Sequence, residues 1–250
     1  MFMIKIRKKQ KGELVAAAVL LLLFGMLILA VKYADVRTVG PNDAVIGLAR
    51  VNCAVRDIFG TNLQWYRVTN YLGVIAIATA AGFACLGLWQ LIRRKSLKKV
   101  DTDLYLLGVF YILAACFYVF FEICIVNYRP VLLESELEAS FPSSHTVLAI
   151  CIMRTAVFQF RRRIRNRLLR SAAVITGDTL LALTVVGRLL SGVHWLTDLI
   201  GGVLLGAALS LLYRAAVGIF CPRTGRKRHA CRSAADMGNA SHKQISDSGT

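Results

Sequence analysis

Six apolar runs leave this chain few folds to choose from. They read as Leu14–Val31, Leu72–Ile92, Leu104–Val126, Ser143–Phe160, Leu168–Val186 and Leu196–Phe220. Crossing a bilayer core takes about 20 apolar residues, so each is a candidate span. The fourth is short and carries Arg154, and the fifth has Asp178 inside it. In lipid a backbone must satisfy its own hydrogen bonds, which makes such runs helical. The expected fold is all-α, a polytopic membrane domain of six transmembrane helices over residues 1–220. The first run follows a basic flank as a signal peptide would, but it is long for one and no small-residue cleavage site follows. It reads as an uncleaved anchor.

Charge sets the orientation. The formal net charge is +17, and 22 of the 31 Lys and Arg fall in four clusters: residues 1–12, 93–99, 161–170 and beyond Cys221. Each cluster flanks an apolar run, which is positive-inside topology rather than a nucleic-acid groove. Both termini, 93–103 and 161–167 then lie in the cytoplasm, and 32–70, 127–142 and 187–195 lie outside. Residues 221–250 turn basic and then Ser/Ala/Gly-rich, as a disordered cytoplasmic tail does. The compact chain fits the cytoplasmic membrane of a bacterium. Most of the seven Cys lie in apolar runs or the basic tail, and none pairs at metal-ligand spacing, so neither a disulfide framework nor a metal is expected.

Within the long outer stretch, Ala44, Leu48, Val51, Val55 and Ile58 recur at helical spacing, between Asp43 as a cap and Gly60 as a stop. This predicts an external helix in the interface, beside an aromatic belt of Trp65, Tyr66 and Tyr71. In the sixth run Gly202 and Gly206 form a GxxxG, a close-packing face for a helix of this chain or of a second copy in a homo-oligomer.

Three short stretches on the outer side carry chemistry: Asn127-Tyr128-Arg129-Pro130, Pro142-Ser143-Ser144-His145, and Arg188 to Asp198 read as R-x5-H-x3-D. His194 and Asp198 are four residues apart, on one face of a helix. The Asp can hold one imidazole nitrogen protonated and leave the other as a nucleophile. Alone, such a pair is more often a helix-end ion pair. Arg188 just upstream shifts the balance, because a guanidinium is a planar fork for phosphate oxygens and is costly to bury without an anion. Pro142-Ser143-Ser144 leads into a helix N-terminus, where free amides cradle anions or a Ser merely caps. Together the stretches bind a phosphate and break its ester bond, at a membrane face.

Their order resembles the type 2 phosphatidic acid phosphatase family, the lipid phosphate phosphatases, whose pocket is shared with vanadium haloperoxidases. That family's pattern is K-x6-R-P, P-S-G-H, then S-R-x5-H-x3-D; the likeness runs from Glu122 to Asp198. It implies that His194 attacks phosphorus to form a phosphohistidine, Asp198 orients it, and His145 protonates the leaving lipid oxygen. Arg129, Arg188, Ser143 and the Ser144 amide would hold the phosphate oxygens. No metal or other cofactor is implied, and the partners are a phosphorylated lipid and the bilayer.

The chain departs from that pattern at Ser144 and Gly187, both mild, and at Glu122, which stands where the family has its Lys. A carboxylate there repels phosphate unless it orients Arg129 or Arg188, or meets a cationic headgroup. The first is the working hypothesis. Arg154 and Asp178 are expected to form a buried pair, and Glu134, Glu136 and Glu138 a solvated acidic face. The expected activity is removal of the terminal phosphate from a lipid mono- or diphosphate on the outer leaflet. The alternatives are transfer of that phosphate to another acceptor, a weak phospholipid-binding scaffold, and a transporter. Free phosphate separates the first two; stable binding or headgroup movement across the bilayer marks the others.

Overall fold

The computed structural model describes residues 7–133 and 135–221. The tail expected over 221–250 lies outside them except for Cys221, as does Glu134. The described chain runs α1 (Lys8–Tyr33), β1 (Arg37–Thr38), β2 (Val45–Ile46), α2 (Ala49–Phe59), α3 (Leu63–Arg94), α4 (Thr102–Ile123), α5 (Ser144–Arg163), α6 (Arg167–Ser191) and α7 (Leu196–Phe220). β1 and β2 form a small antiparallel hairpin with Arg37 opposite Ile46. Six helices are therefore long and α2 is the short external one.

Five of the long helices are apolar and long enough to cross a membrane, and α5 is the exception. Its reason is position. α5 packs against α3, α4, α6 and α7. Thr146, Thr155 and Gln159 on it are fully buried in protein, so its side chains need not be lipid-soluble. The outer helices show the opposite, with Leu22 of α1 and Ile112 of α4 68% and 66% exposed, as lipid-facing residues are. α5 and α7 approach closely because α7 lacks side chains where they meet. A Cβ on Gly202 or Gly206 would stand 2.9 Å from Thr146 Cβ or Ile150 Cβ. Both glycines are buried against α5, so this GxxxG packs within the chain, and the homo-oligomer expected through it loses its surface.

Two boundaries shift. α3 begins at Leu63, capped by the Asn62 side chain accepting from the amides of Gln64 and Trp65 at 3.0 and 3.2 Å. At 1.5 Å per residue this helix is about 48 Å long and overshoots the bilayer core. Trp65, Tyr66 and Tyr71 lie on its first turns. α2 is present, but Leu48 stands at its N-cap instead of Asp43, and the buried face is not the apolar one. Val51 and Ile58 are 52% and 76% exposed, while Asn52 is fully buried. A tertiary partner for Asn52, described below, overrides the helix's own pattern.

Charged residues clasp the end of the bundle where α3, α4 and α5 meet. Arg94 and Arg163 lie 2.9 and 3.0 Å from Asp101, and Arg163 reaches Asp103 at 2.7 Å. Gln90 donates to Asp101 at 2.9 Å. Arg154 and Asp178 do pair, at 3.3 Å, but on the protein surface between α5 and α6, each more than 40% exposed, and not buried as expected.

Burial works against the Asp101 charge, but hydrogen bonds from Arg94, Gln90 and Arg163 outweigh it and hold its carboxyl down at about 2. A carboxylate depressed in the folded state contributes stability above its unfolded value, which is lost as pH falls toward the folded one. The unfolding temperature in detergent is expected to drop between about pH 4 and pH 2. Asp101→Asn is expected to lower it at neutral pH and to flatten that acid slope; an unchanged slope would remove Asp101 from the clasp.

Candidate active site

The three motif stretches meet at the end of the bundle opposite this clasp, and backbone hydrogen bonds knit them together. After α4 the chain turns back on itself. Tyr128 bridges Ala139, Arg129 N donates to Glu138 O at 3.2 Å, and Ser140 N donates to Asn127 O at 2.9 Å. Phe141 then plugs into the core, stacked on Phe24 at 5.8 Å. Gly201 makes room, since a Cβ there would lie 2.7 Å from the Phe141 ring. Finally Ser143 N donates to Asp198 O at 3.0 Å, tying the start of α5 to the start of α7.

His194 stands just before α7 with its side chain almost wholly enclosed. Its Nδ1 lies 3.2 Å from Ser140 Oγ and 3.6 Å from Asp198 Oδ2. The Ser140 hydroxyl donates to that same Asp198 oxygen, as does Trp195 N at 2.8 Å. Ser140 therefore links the two, accepting from Nδ1–H and donating to the carboxylate. Burial, with the Arg129 and Arg188 charges nearby, pushes His194 well below the usual histidine value. A neutral imidazole protonated on Nδ1 carries its lone pair on Nε2, and Nε2 has no protein partner.

Around it stand donors in the same condition. Arg188 is fully buried; Nη2 donates to Asn70 Oδ1 at 2.7 Å and the guanidinium lies 5.1 Å from the Tyr66 ring centre, but Nε and Nη1 are unpartnered. Arg129 Nε lies 2.8 Å from Glu138 Oε2, too far off the N–H axis for a hydrogen bond, and Nη1 has no partner. His145 Nδ1 is unpartnered as well, with its ring packed against Gly73, where a Cβ would come within 3.2 Å. Arg129, Arg188, His145 and His194 lie within electrostatic reach of one another. Ser143 is fully buried and makes no side-chain cap on α5; its Oγ accepts from Thr146 Oγ1 at 3.1 Å and keeps its own proton to donate. Ser144 lines the pocket beside His194. Buried polar groups are normally satisfied, so clustered donors without acceptors mark the place of a multivalent anion.

Residues 122–219 match the PAP2 superfamily. The matched region contains every residue of the three motifs. A solved structure, described as the first transmembrane PAP2 type phosphatidylglycerolphosphate phosphatase from Bacillus subtilis, shares the fold with a TM-score of 0.61 at 18% identity. The match covers 83% of this chain and 98% of that one. No curated protein matches.

Within the matched region Glu122 sits at the end of α4, in the wall of a pocket that runs from His194 and Ser144 past Tyr118 and Phe121. The expectation that it orients an Arg does not hold. The acid beside Arg129 is Glu138, one of the residues expected on a solvated face, and the partner of Arg188 is Asn70. Glu122 interacts with Tyr118, one helical turn back.

Ser140, Asn70 and Asn52 escape sequence reasoning. Ser140 lies two residues before Pro142 and nothing local marks it; Asn70 falls before the expected start of its helix. Asn52 reaches from α2 into the first turn of α7: Nδ2 donates to Gly47 O at 2.9 Å and Thr197 Oγ1 at 3.0 Å, and Oδ1 accepts from Thr197 N at 3.2 Å. Beside it Trp195, 1% exposed, packs on Ala44 and Ile46 and donates to Tyr128 O at 2.7 Å. The hairpin and α2 thus brace the residues just after His194. Gly192 makes the preceding turn with φ +62°, and a Cβ there would fall 1.9 Å from Gly60 O.

Asn52→Ala leaves buried Thr197 groups unsatisfied, and each such group costs about 1–3 kcal/mol. The unfolding temperature should fall. Arg188→Gln removes a buried charge that has no anion and should leave that temperature unchanged or raise it. A large loss of stability in Arg188→Gln would show that the guanidinium is already paid for within the fold.

Proposed function

We propose that this chain removes the terminal phosphate from a phosphorylated lipid through a phosphohistidine. The observation that carries the reading is the unpartnered His194 Nε2 among unpartnered guanidinium donors. In the first step Nε2 forms a bond to phosphorus and the P–O bond to the lipid breaks, with a proton passing from His145 to the leaving oxygen. In the second, water attacks phosphorus and gives a proton back to His145 as the P–N bond breaks, releasing phosphate and freeing His194. Asp198, through Ser140, holds Nδ1–H and balances the charge His194 gains. Arg129, Arg188, the Ser143 hydroxyl and the Ser144 amide stabilise the oxygens as charge shifts, so fixed donors supply what a metal ion supplies elsewhere.

Two features favour a lipid. The pocket leaving His194 is walled by Phe117, Phe121, Val147 and Leu148, suited to an acyl or prenyl chain. The related solved structure is of a phosphatidylglycerolphosphate phosphatase, which makes that lipid the first candidate beside phosphatidic acid and polyprenyl diphosphate. The basic clusters favour a site on the outer face of a cytoplasmic membrane.

Detergent-purified protein is expected to release phosphate from at least one of these lipids with EDTA present, and His194→Ala to release none. Ser140→Ala should lower kcat about 10–100-fold with little change in KM, the usual effect of losing a hydrogen-bonding support. Release that depends on added metal, or that survives in His194→Ala, would overturn the mechanism.

A further inference from the structure

A second cationic cavity, of about 340 Å³, lies between α1, α5 and α7. It does not belong to the catalytic site. His145 and Arg161 lie sixteen residues apart on α5, or about 24 Å along the helix. Arg7, Lys9, Arg154, Arg161, Arg162 and Arg214 line the cavity, with Glu13 the one acid among the lining residues. Some of this charge is answered inside the protein: Arg214 lies 3.0 Å from Glu13, Arg154 3.3 Å from Asp178, and Arg162 3.4 Å from Asp103. The wall remains mostly basic in its lining residues.

Two buried atoms in its wall lack partners: the donor Arg214 Nε and the acceptor Gln10 Oε1. Gln10 is only 7% exposed although it sits in the first turns of α1. Its amide is seated by Gly218 of α7, where a Cβ would meet Nε2 at 2.5 Å. An ordinary basic flank of a membrane helix points its side chains outward and needs neither a concave wall nor a buried amide. A buried donor and a buried acceptor left open in the lining of one cavity ask for a ligand offering both an anionic oxygen and a hydroxyl.

We infer that this cavity binds a hydroxyl-bearing phosphate group, as carried by a glycerol-type anionic phospholipid headgroup or by a soluble glycerol phosphate. The anionic oxygens meet Arg214 and the surrounding cations, and the hydroxyl donates to Gln10. The ligand is held at the far end from the chemistry and is not the substrate.

The test uses full-length Arg188→Gln protein in nanodiscs, so that the catalytic end does not add to the signal. Native mass spectrometry counts retained phosphatidylglycerol, phosphatidylmethanol, which has the charge but no hydroxyl, and added sn-glycerol 3-phosphate. One phosphatidylglycerol per chain is expected. Retention should weaken at least about tenfold in Arg214→Gln and in Gln10→Leu, the cost of a lost buried hydrogen bond, and hold in Lys98→Gln. Saturable binding of glycerol 3-phosphate with the same variant pattern would assign the site to the soluble source. Equal retention of phosphatidylmethanol, or an equal loss in Lys98→Gln, would overturn the inference and leave only surface charge. Gln10→Leu with Arg188 intact should release phosphate as the unaltered chain does, which separates this site from the catalytic reading and shows that the variant folds.

Discussion

Two guanidinium groups and two imidazoles lie within electrostatic reach of one another, and much of the fold is explained by holding them there. Like charges in a low dielectric repel, and each buried cation loses several kcal/mol of hydration. The protein answers only part of this. Asn70 takes one N–H of Arg188, the Tyr66 face takes the guanidinium charge, and Glu138 stands beside Arg129. His194 yields its own proton and stays neutral. What is left over is a set of donors that only a ligand can satisfy, so binding energy is stored in the unliganded fold.

Holding such a set in register takes rigid support, and the chain supplies it from apolar packing. α5 and α7 touch through missing side chains at Gly202 and Gly206, which places Ser143 N on Asp198 O. Phe141, wedged between Phe24 and Gly201, anchors the Ser-rich turn to the core. On the far side of His194, the hairpin and α2 clamp Trp195 and Thr197. His194 is thus fixed on both flanks by elements distant in sequence, as the proposed catalysis by preorganised groups requires.

The spans and the motif residues were legible because each rests on a local pattern. Apolar length marks a span, and the H-x3-D spacing puts His194 beside Asp198 across the start of α7, but Arg188 comes from the last turn of α6, so the motif is joined through the Gly192 turn and not along one helix. α5 was readable only as a short apolar run interrupted by Arg154, since protein and not lipid covers its polar residues. The buried face of α2 was not readable: apolar periodicity pointed to Val51 and Ile58, yet a buried amide partner at Thr197 decides the orientation. Ser140 and Asn70 were invisible for the same reason, as their roles exist only when strands of chain far apart in sequence come together. Glu122 was read from a helical spacing to Arg129 that the chain does not keep, because α4 ends at Ile123 and the backbone turns before Arg129. The glycines of α7 announced a close contact but not with which helix.

The central claim is that the unpartnered donors around His194 form one anion site shaped for phosphorus in transit between two oxygens or nitrogens. Orthovanadate adopts that five-coordinate geometry, and its binding to the purified protein by calorimetry tests the claim most directly. The account predicts one vanadate per chain, with affinity lost in Arg188→Gln and in His194→Ala and kept in Glu122→Gln. Vanadate binding that is absent, or that survives loss of both Arg188 and His194, would contradict it.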